Sequence, residues 1–335
     1  MDIRNKKEEL LEVTHVNNYY DDNGLGILRK RGKKQVLHDI SFTIHPDEFF
    51  GLVGESGCGK STLGNAILNL IPYEGSIRLD GRETSKEGRK EFTKKVQAVF
   101  QDPMSALNPR KTIGFTLREP LLAHGIGTPK EQMEEVNRML ERIGLDASYA
   151  DRYPKELSGG QRQRVCIGAA LMLNPELVIA DEAVSALDVS VGAQILNLFR
   201  DIDRKRDFAM LFISHNLNVV YYLCDRIAVM YAGRIMELAP AGELFRNPLN
   251  PYTYDLLRSI PSMERKGKKL YSIEGTPPAL DQMPKGCPFA PRCELAGDRC
   301  REEVPELLET AEGHFTRCFY REKLEEMRGK EADHG

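Results

Sequence analysis

Three groups of residues in this 335-residue chain have the types and spacing to do chemistry. Gly54-Glu55-Ser56-Gly57-Cys58-Gly59-Lys60-Ser61-Thr62 fits G-x-x-x-x-G-K-[S/T] in full. Its glycines let the backbone curl until successive N–H groups converge on phosphate oxygens. A helix opening near Lys60 adds the positive end of its dipole. Lys60 supplies a cation between the β- and γ-phosphates, Ser61 a hydroxyl ligand for Mg²⁺ and Thr62 a contact to the α-phosphate, whereas Cys58 is expected to point away. Downstream, Leu177-Val-Ile-Ala-Asp181-Glu182 ends an apolar run in two acids. Neighbours on an extended strand point opposite ways, so the pair predicts two roles: Asp181 holds Mg²⁺ through water, and Glu182 polarises an attacking water. The third group is Cys287, Cys293, Cys300 and Cys318, four of the seven cysteines, spaced C-x5-C-x6-C-x17-C.

Strands and helices must position these groups. Phe49–Val53 reads as a strand, Ser61–Leu70 as an amphipathic helix, and the glycine-rich loop lies between them, which is the context a phosphate loop requires. Val96–Phe100, Leu177–Ala180, Ala209–Ile213 and Ile227–Tyr231 read as further strands, the last of the series, with Gly233 in the following turn. Residues 129–143 place Met133, Val136, Leu140 and Ile143 on one helical face. Leu11–Val16 and Ser41–Ile44 are short strands separated by a turn-rich stretch around Asp21–Gly26. Buried strands alternating with helices predict a mostly parallel α/β sheet. From about Pro248 proline and cysteine become frequent and the strand pattern stops, which puts a domain boundary near residues 245–262.

Composition excludes several classes. Lys plus Arg is 47 and Asp plus Glu 50, a net charge of −3 that gives no support to a bulk nucleic-acid binder. No run of apolar residues is long enough to span a bilayer, and the charged N-terminus lacks the apolar segment of a secretory signal. An odd number of cysteines without an export signal argues for reduced thiols or a metal site. The run Arg29–Lys34 is most simply a solvated loop; contact with acidic lipid headgroups is the sharper alternative.

A second phosphate-type motif narrows the class. Leu157-Ser158-Gly159-Gly160-Gln161 precedes an apolar helix and offers a hydroxyl and free N–H donors to an anion. One nucleotide already has its loop, so this site must serve another. With LSGGQ between a phosphate loop and a DE strand, residues 8–250 resemble the nucleotide-binding domains of ABC transporters. The fold implied is an ABC-type P-loop NTPase: a mixed, mostly parallel sheet, an antiparallel β subdomain and a helical subdomain at about 105–165. The resemblance implies that two such domains pair head to tail and that the signature Ser158–Gln161 of one closes on the ATP of the other. It also implies that Gln101 is the Q-loop glutamine reaching Mg²⁺, that Asp188 in Ser185-Ala-Leu-Asp188 is the D-loop aspartate, and that His215 is the switch histidine touching the γ-phosphate. Tyr20 matches the aromatic that stacks on adenine, with Tyr19 the competitor.

Finer motifs resemble the oligopeptide/dipeptide importer ATPases, whose relatives also carry nickel. They are Gln101-Asp-Pro-Met-Ser-Ala-Leu-Asn-Pro-Arg110, Asn250-Pro-Tyr-Thr253 and Gly275-Thr-Pro-Pro278. Ala183, Ala169 and Asn216 depart from the usual proline, arginine and aspartate; they bear on turnover rate, not on reaction type. The resemblance implies an ATPase on the cytoplasmic face of the membrane, with a second and usually non-identical ATPase subunit, two transmembrane permeases and an extracellular solute-binding protein. A soluble ABC-type ATPase acting on DNA or ribosomes is the rival. It usually shows a coiled-coil insertion or tandem heads, and the stretch from Gln101 to Leu157 has no sustained heptads. An exporter half would carry its own membrane spans.

For residues 251–335 the spacing of the four cysteines leaves zinc, an iron–sulfur cluster and packed thiols open. The importer ATPases sharing this pattern can hold a [4Fe–4S] cluster, and the resemblance favours that, with zinc second. Its role would be to staple a region with little core of its own. Cys166 and Cys224 lie in apolar contexts and read as packing residues.

Overall fold

The computed structural model describes residues 9–22, 32–203, 208–260, 271–280 and 282–333. Arg29–Arg31 of the basic run and most of the stretch around Asp21–Gly26 lie outside them. Strands β1 (Leu11–Asp22), β2 (Gly32–Ile44), β4 (Glu74–Leu79) and β5 (Arg82–Glu83) form an antiparallel sheet in the order β2-β1-β4-β5. The main sheet also uses β3 (Phe49–Val53), β6 (Val96–Val99), β7 (Leu177–Asp181), β8 (Ala209–Ser214), β9 (Arg226–Tyr231), β10 (Arg234–Pro240), β11 (Leu308–Ala311) and β12 (His314–Thr316). Its order is β11-β12-β10-β9-β3-β8-β7-β6, parallel from β9 to β6 and antiparallel beyond β9. This is the mixed, mostly parallel architecture with a separate antiparallel β sheet that the sequence implies.

The continuous apolar runs are explained by burial on both faces. Phe49 and Val53 pack into one core cluster and Phe50 and Leu52 into the other, following the two-residue period of a strand. One face is covered by α1 (Lys60–Ile67), α2 (Arg89–Lys95) and the antiparallel sheet. The other is covered by α6 (Gly159–Leu171), α7 (Val189–Asp203) and α8 (Leu217–Leu223), with α4 (Ile113–His124) and α5 (Pro129–Arg142) packed against α6. Short α3 (Pro103–Ala106) follows β6, and α9 (Ala241–Arg246), α10 (Pro251–Arg258), α11 (Asp298–Glu302) and α12 (Arg321–Asp333) complete the chain. Local chemistry sets the ends of the helical subdomain. Thr112 caps α4, which stops at Gly125, and Thr128 with Glu131 forms a capping box on α5.

Three expectations need correction. The helix after the phosphate loop ends at Ile67, and Leu70 is exposed beyond it. On α5, Met133 is partly exposed, and Gln132 is buried instead because its amide accepts from Arg118 Nε at 2.7 Å and donates to the Ile126 carbonyl at 2.8 Å. Ile227–Tyr231 is not the last strand. β10 returns antiparallel beside it, and the β11–β12 hairpin pairs with β10 through Glu237↔Thr316. Leu308–Ala311 carries no apolar alternation, so its strand conformation comes from pairing, not from local sequence.

Candidate functional site

Register gathers the chemistry at one sheet edge. Val53 pairs with Ser214, Asp181 with Ile213 and Val99 with Ala180, so β3, β6, β7 and β8 end together. The loops that leave them carry Gly54–Thr62, Gln101, Glu182 and His215. Ligands of parallel sheets collect at this edge. An open cleft of about 1440 Å³ lies there, lined by Ser56, Gly57, Gly59, Lys60, Ser61 and Thr62 together with Gln101, Glu182, His215 and Tyr20.

The loop between β3 and α1 is shaped by positive-φ glycines: Gly57 at 79° and Gly59 at 105°. At Gly54 a Cβ would stand 2.1 Å from the Met230 carbonyl oxygen, so only glycine lets the loop cross β9 this closely. Lys60 is buried, and its Nζ donates to the Gly54 and Glu55 carbonyls at 2.7 and 3.0 Å. Those contacts hold the ammonium beneath the loop. Cys58 is buried below the loop, its Sγ 3.7 Å from Lys60 Nζ, and burial raises its pKa.

Asp181 ends β7 beside Ser61 and Lys60. Burial raises its pKa, opposed by the Ser61 hydroxyl, and its Oδ1 is buried without a hydrogen-bond partner. An orphaned carboxylate oxygen next to a serine hydroxyl fits a Mg²⁺ site. Glu182 no longer belongs to the strand: it is left-handed, with φ 51°. Its side chain therefore diverges from Asp181 by a backbone kink, not by strand alternation. A non-glycine residue in this region stores strain of about 1 kcal/mol or more. The turn is fixed by Glu182 N–H donating to Ile213 O at 3.0 Å and by Ser185 Oγ donating to the Glu182 carbonyl at 2.8 Å. His215 Nδ1 lies 2.9 Å from Glu182 Oε2. A carboxylate cannot donate, so Nδ1 carries the proton and Nε2 is left for another partner. Asn216 caps α8, accepting from Asn218 N–H at 3.0 Å and Val219 N–H at 3.4 Å, a task for which asparagine and aspartate are equivalent.

The signature residues do not reach this cleft. Ser158 caps α6 and forms a capping box with Gln161. A Cβ on Gly160 would meet Val191 Cγ1 at 2.3 Å, so the start of α6 is pressed against α7. Asp188 accepts from Val191 N–H at 2.9 Å and likewise lies outside the cleft lining. The chain thus carries two anion-binding motifs that it does not bring together. Tyr20, at the end of β1, is half-exposed and lines the cleft, whereas Tyr19 does not.

Several lining or supporting residues were not singled out from sequence: Lys34, Val36 and Leu280 in the cleft wall, and Arg292, Tyr231 and Tyr252 behind Glu55. Glu55 does not line the cleft; its carboxylate is paired to Arg292.

Cys287, Cys293, Cys300 and Cys318 all line one apolar cavity with Phe289 and Arg317. Burial raises the thiol of Cys293 to about 12 and that of Cys318 to about 11. Among the described residues no group of three or more His, Cys, Asp or Glu is close enough to hold a metal ion. No disulfide joins the described cysteines. Cys166 and Cys224 are buried in the apolar core.

A phosphate loop on one edge and a second phosphate motif held away from it define an ABC-type ATP-hydrolysing nucleotide-binding domain. Residues 37–185 match the ABC transporter family model, and residues 236–300 match that of the oligopeptide/dipeptide transporter C-terminal region. The oligopeptide transport ATP-binding protein AppF of Bacillus subtilis is 44% identical over 320 residues, covering 93% of this chain and 97% of AppF. A putative peptide import ATP-binding protein of Brucella ovis is 45% identical over 290 residues, 85% of this chain and 92% of its own. Among solved structures, cbiO1 of Clostridium perfringens, part of the ABC transporter complex cbiONQ, superposes with a TM-score of 0.63 at 25% identity, covering 71% of this chain and 91% of cbiO1. The ATP-binding cassette MJ0796, in a dimeric post-hydrolysis state with ADP and Pi, does so at 0.60 and 28%, covering 69% of this chain and 98% of that one. The chain belongs to the oligopeptide/dipeptide transporter family of ABC ATP-binding proteins. Among the described residues no helix is long and apolar enough to cross a membrane.

Proposed function

We propose that the protein is the ATP-hydrolysing motor of a membrane importer for peptides, working at the cytoplasmic face beside two transmembrane permeases, a second ATPase subunit and an extracellular binding protein. The observation that carries this is the split between the cleft at the sheet edge and the signature residues Ser158–Gln161 outside it. A second subunit is needed to complete each ATP site. Within the cleft, the loop N–H groups, Lys60 and Thr62 hold the triphosphate, and Tyr20 stacks on the base. Ser61, Asp181 and Gln101 are the residues that would hold Mg²⁺, which neutralises phosphate charge. Glu182 orients the attacking water, and His215, protonated at Nδ1 toward Glu182, offers Nε2 to the γ-phosphate side. Asp188 belongs to the paired interface. Closure on ATP and release after hydrolysis would drive the permeases between orientations.

The test is Glu182→Gln in the assembled transporter. Hydrolysis is expected to fall by about a hundredfold while an ATP-bound closed pair accumulates. Normal turnover in that variant defeats the role of Glu182. Substrate-stimulated hydrolysis by the co-purified complex, with peptides and nickel compared as substrates, separates peptide import from the small-solute reading. Activation by nucleic acid or ribosomes instead revives the soluble one.

For the cysteine cavity the proposal is a [4Fe–4S] cluster, with zinc as alternative. The support is the convergence of four thiols on one cavity beside the Arg317 guanidinium, whose charge suits an anionic thiolate site. A four-iron core is wider than one ion and tolerates a wider thiol cage. Bound there, the cluster would cross-link the segment that carries Cys287, Cys293 and Cys300 to Cys318. Anaerobic purification with iron, sulfide and zinc assays decides between the two, and protein lacking all three defeats both.

A further inference from the structure

Glu55 presents a puzzle of charge. It sits in the loop that must bind a polyanion, yet it is itself anionic. Its carboxylate is turned from the cleft onto Arg292, which donates from Nη1 to Oε2 at 2.7 Å and from Nη2 to Oε1 at 3.0 Å. This is a two-point fork, and the Arg292 side chain is only 5% exposed. The same guanidinium donates to the Tyr231 hydroxyl at 3.1 Å and, through Nε, to the Glu274 carbonyl at 2.9 Å. Glu55 N–H donates to the hydroxyl of fully buried Tyr252 at 3.0 Å. Tyr231, Tyr252 and Phe289 pack as a triad, with ring centroids 4.6, 5.2 and 5.4 Å apart. Arg292 directly precedes Cys293, and Phe289 lines the cysteine cavity, so the cysteine-bearing segment supplies two members of the platform behind the loop, and β9 and α10 supply Tyr231 and Tyr252. The Glu274 carbonyl ties in the irregular stretch that leads to Leu280 in the cleft wall.

We propose that Arg292 is a positioning residue of the ATP site: it cancels the Glu55 charge and fixes the first turn of the phosphate loop. ATP affinity thereby depends on the folded cysteine-bearing segment. Without Arg292 the Glu55 carboxylate is uncompensated and free to swing toward the phosphates, where it repels them. Linkage makes the dependence reciprocal: bound ATP tightens the segment by the same factor. The proposal rests on the cleft being the ATP site, and a Lys60→Ala control separates the two. If that control binds ATP normally, the cleft assignment fails whatever Arg292 does.

The test uses the full-length protein with intact cysteines, comparing R292Q, R292K and R292Q with E55Q for Mg-ATP binding by calorimetry and for steady-state hydrolysis. R292Q is expected to raise both Kd and KM about tenfold, equivalent to about 1.4 kcal/mol. Saturated turnover should change by less than about threefold, because the loss falls on binding. R292K should recover part of the affinity, since an ammonium cancels the charge but cannot fork. The decisive arm is rescue: adding E55Q to R292Q should restore affinity, since no charge is left to repel. A purely structural role predicts a further loss instead. An R292Q affinity within about twofold of the wild type overturns the proposal, as does a double variant weaker than R292Q. If R292Q does not fold, R292K with and without E55Q decides by the same rescue criterion.

Discussion

Glu237→Gln tests whether the seam between the main sheet and the C-terminal region is as demanding as its geometry implies. Glu237 is fully buried on β10 and accepts three hydrogen bonds: from His314 Nε2 at 2.7 Å and Leu249 N–H at 2.6 Å, both on Oε1, and from Asn250 N–H at 3.1 Å on Oε2. Glutamine matches the shape but can accept on only one side. With its oxygen facing His314 and Leu249, its amide nitrogen opposes Asn250 N–H, donor against donor. The buried Asn250 N–H is left unsatisfied, a loss of about 1–3 kcal/mol, and the two remaining bonds lose charge assistance worth about 1 kcal/mol together. The expected destabilisation is about 3 kcal/mol, read as a fall of about 4 °C in Tm for a chain of this size. Thermal unfolding followed by calorimetry, with urea midpoints as a check, measures it. A loss under about 1 kcal/mol refutes the reasoning, because it would mean that the seam re-forms around a neutral side chain.

Lys60→Ala removes the cation held beneath the loop and should reduce hydrolysis by about 10²–10³-fold without lowering Tm appreciably; ATPase assays and melting curves check both. Asp181→Asn should raise the Tm of nucleotide-free protein at neutral pH and abolish Mg²⁺-dependent hydrolysis. Burial raises the native pKa of Asp181, so its ionisation opposes folding, and stability falls as pH climbs from the unfolded value through the raised one. His38 carries the opposite lesson: burial, reinforced by Arg234, lowers its pKa to about 4. Its contribution is complete above about pH 6.5 and is lost as pH falls toward 4, by about 1–2 kcal/mol after allowing for its partial exposure. A His38→Asn variant should flatten the acid limb of Tm against pH, and an unchanged limb would exclude this histidine as its source.

How much of the site could be read in the chain depends on sequence distance. The phosphate loop is contiguous, and its glycines and lysine declare themselves in nine residues, Gly54 to Thr62. Asp181 and His215 are legible because each follows an apolar strand, and parallel strands must end at one edge. Glu182 is legible by type but not by reason, since its divergence from Asp181 comes from a left-handed kink that no alternation rule foresees. Gln132 on α5 was hidden because its burial depends on partners at Arg118 and Ile126. The fork between Glu55 and Arg292 spans 237 positions, and nothing local at either end marks it. Arg292 looks like one more charge among prolines and cysteines until the fold sets it behind the loop.

The same distance rule explains how the two phosphate motifs divide their work. Val191 fills the space over Gly160, and Ser158 and Gln161 cap α6 reciprocally, so the signature turn and the start of α7 are one packed body. Ser185 bonds the Glu182 carbonyl, and Asp188 bonds Val191 N–H. A continuous chain of short contacts therefore runs from the glutamate in the cleft, through Ser185 and Asp188, to the helix that carries the signature. A displacement of Glu182 on one side has a short covalent and hydrogen-bonded route to the anion-binding turn on the other. Such a route is what a subunit needs if the state of its own ATP is to alter its grip on its partner's.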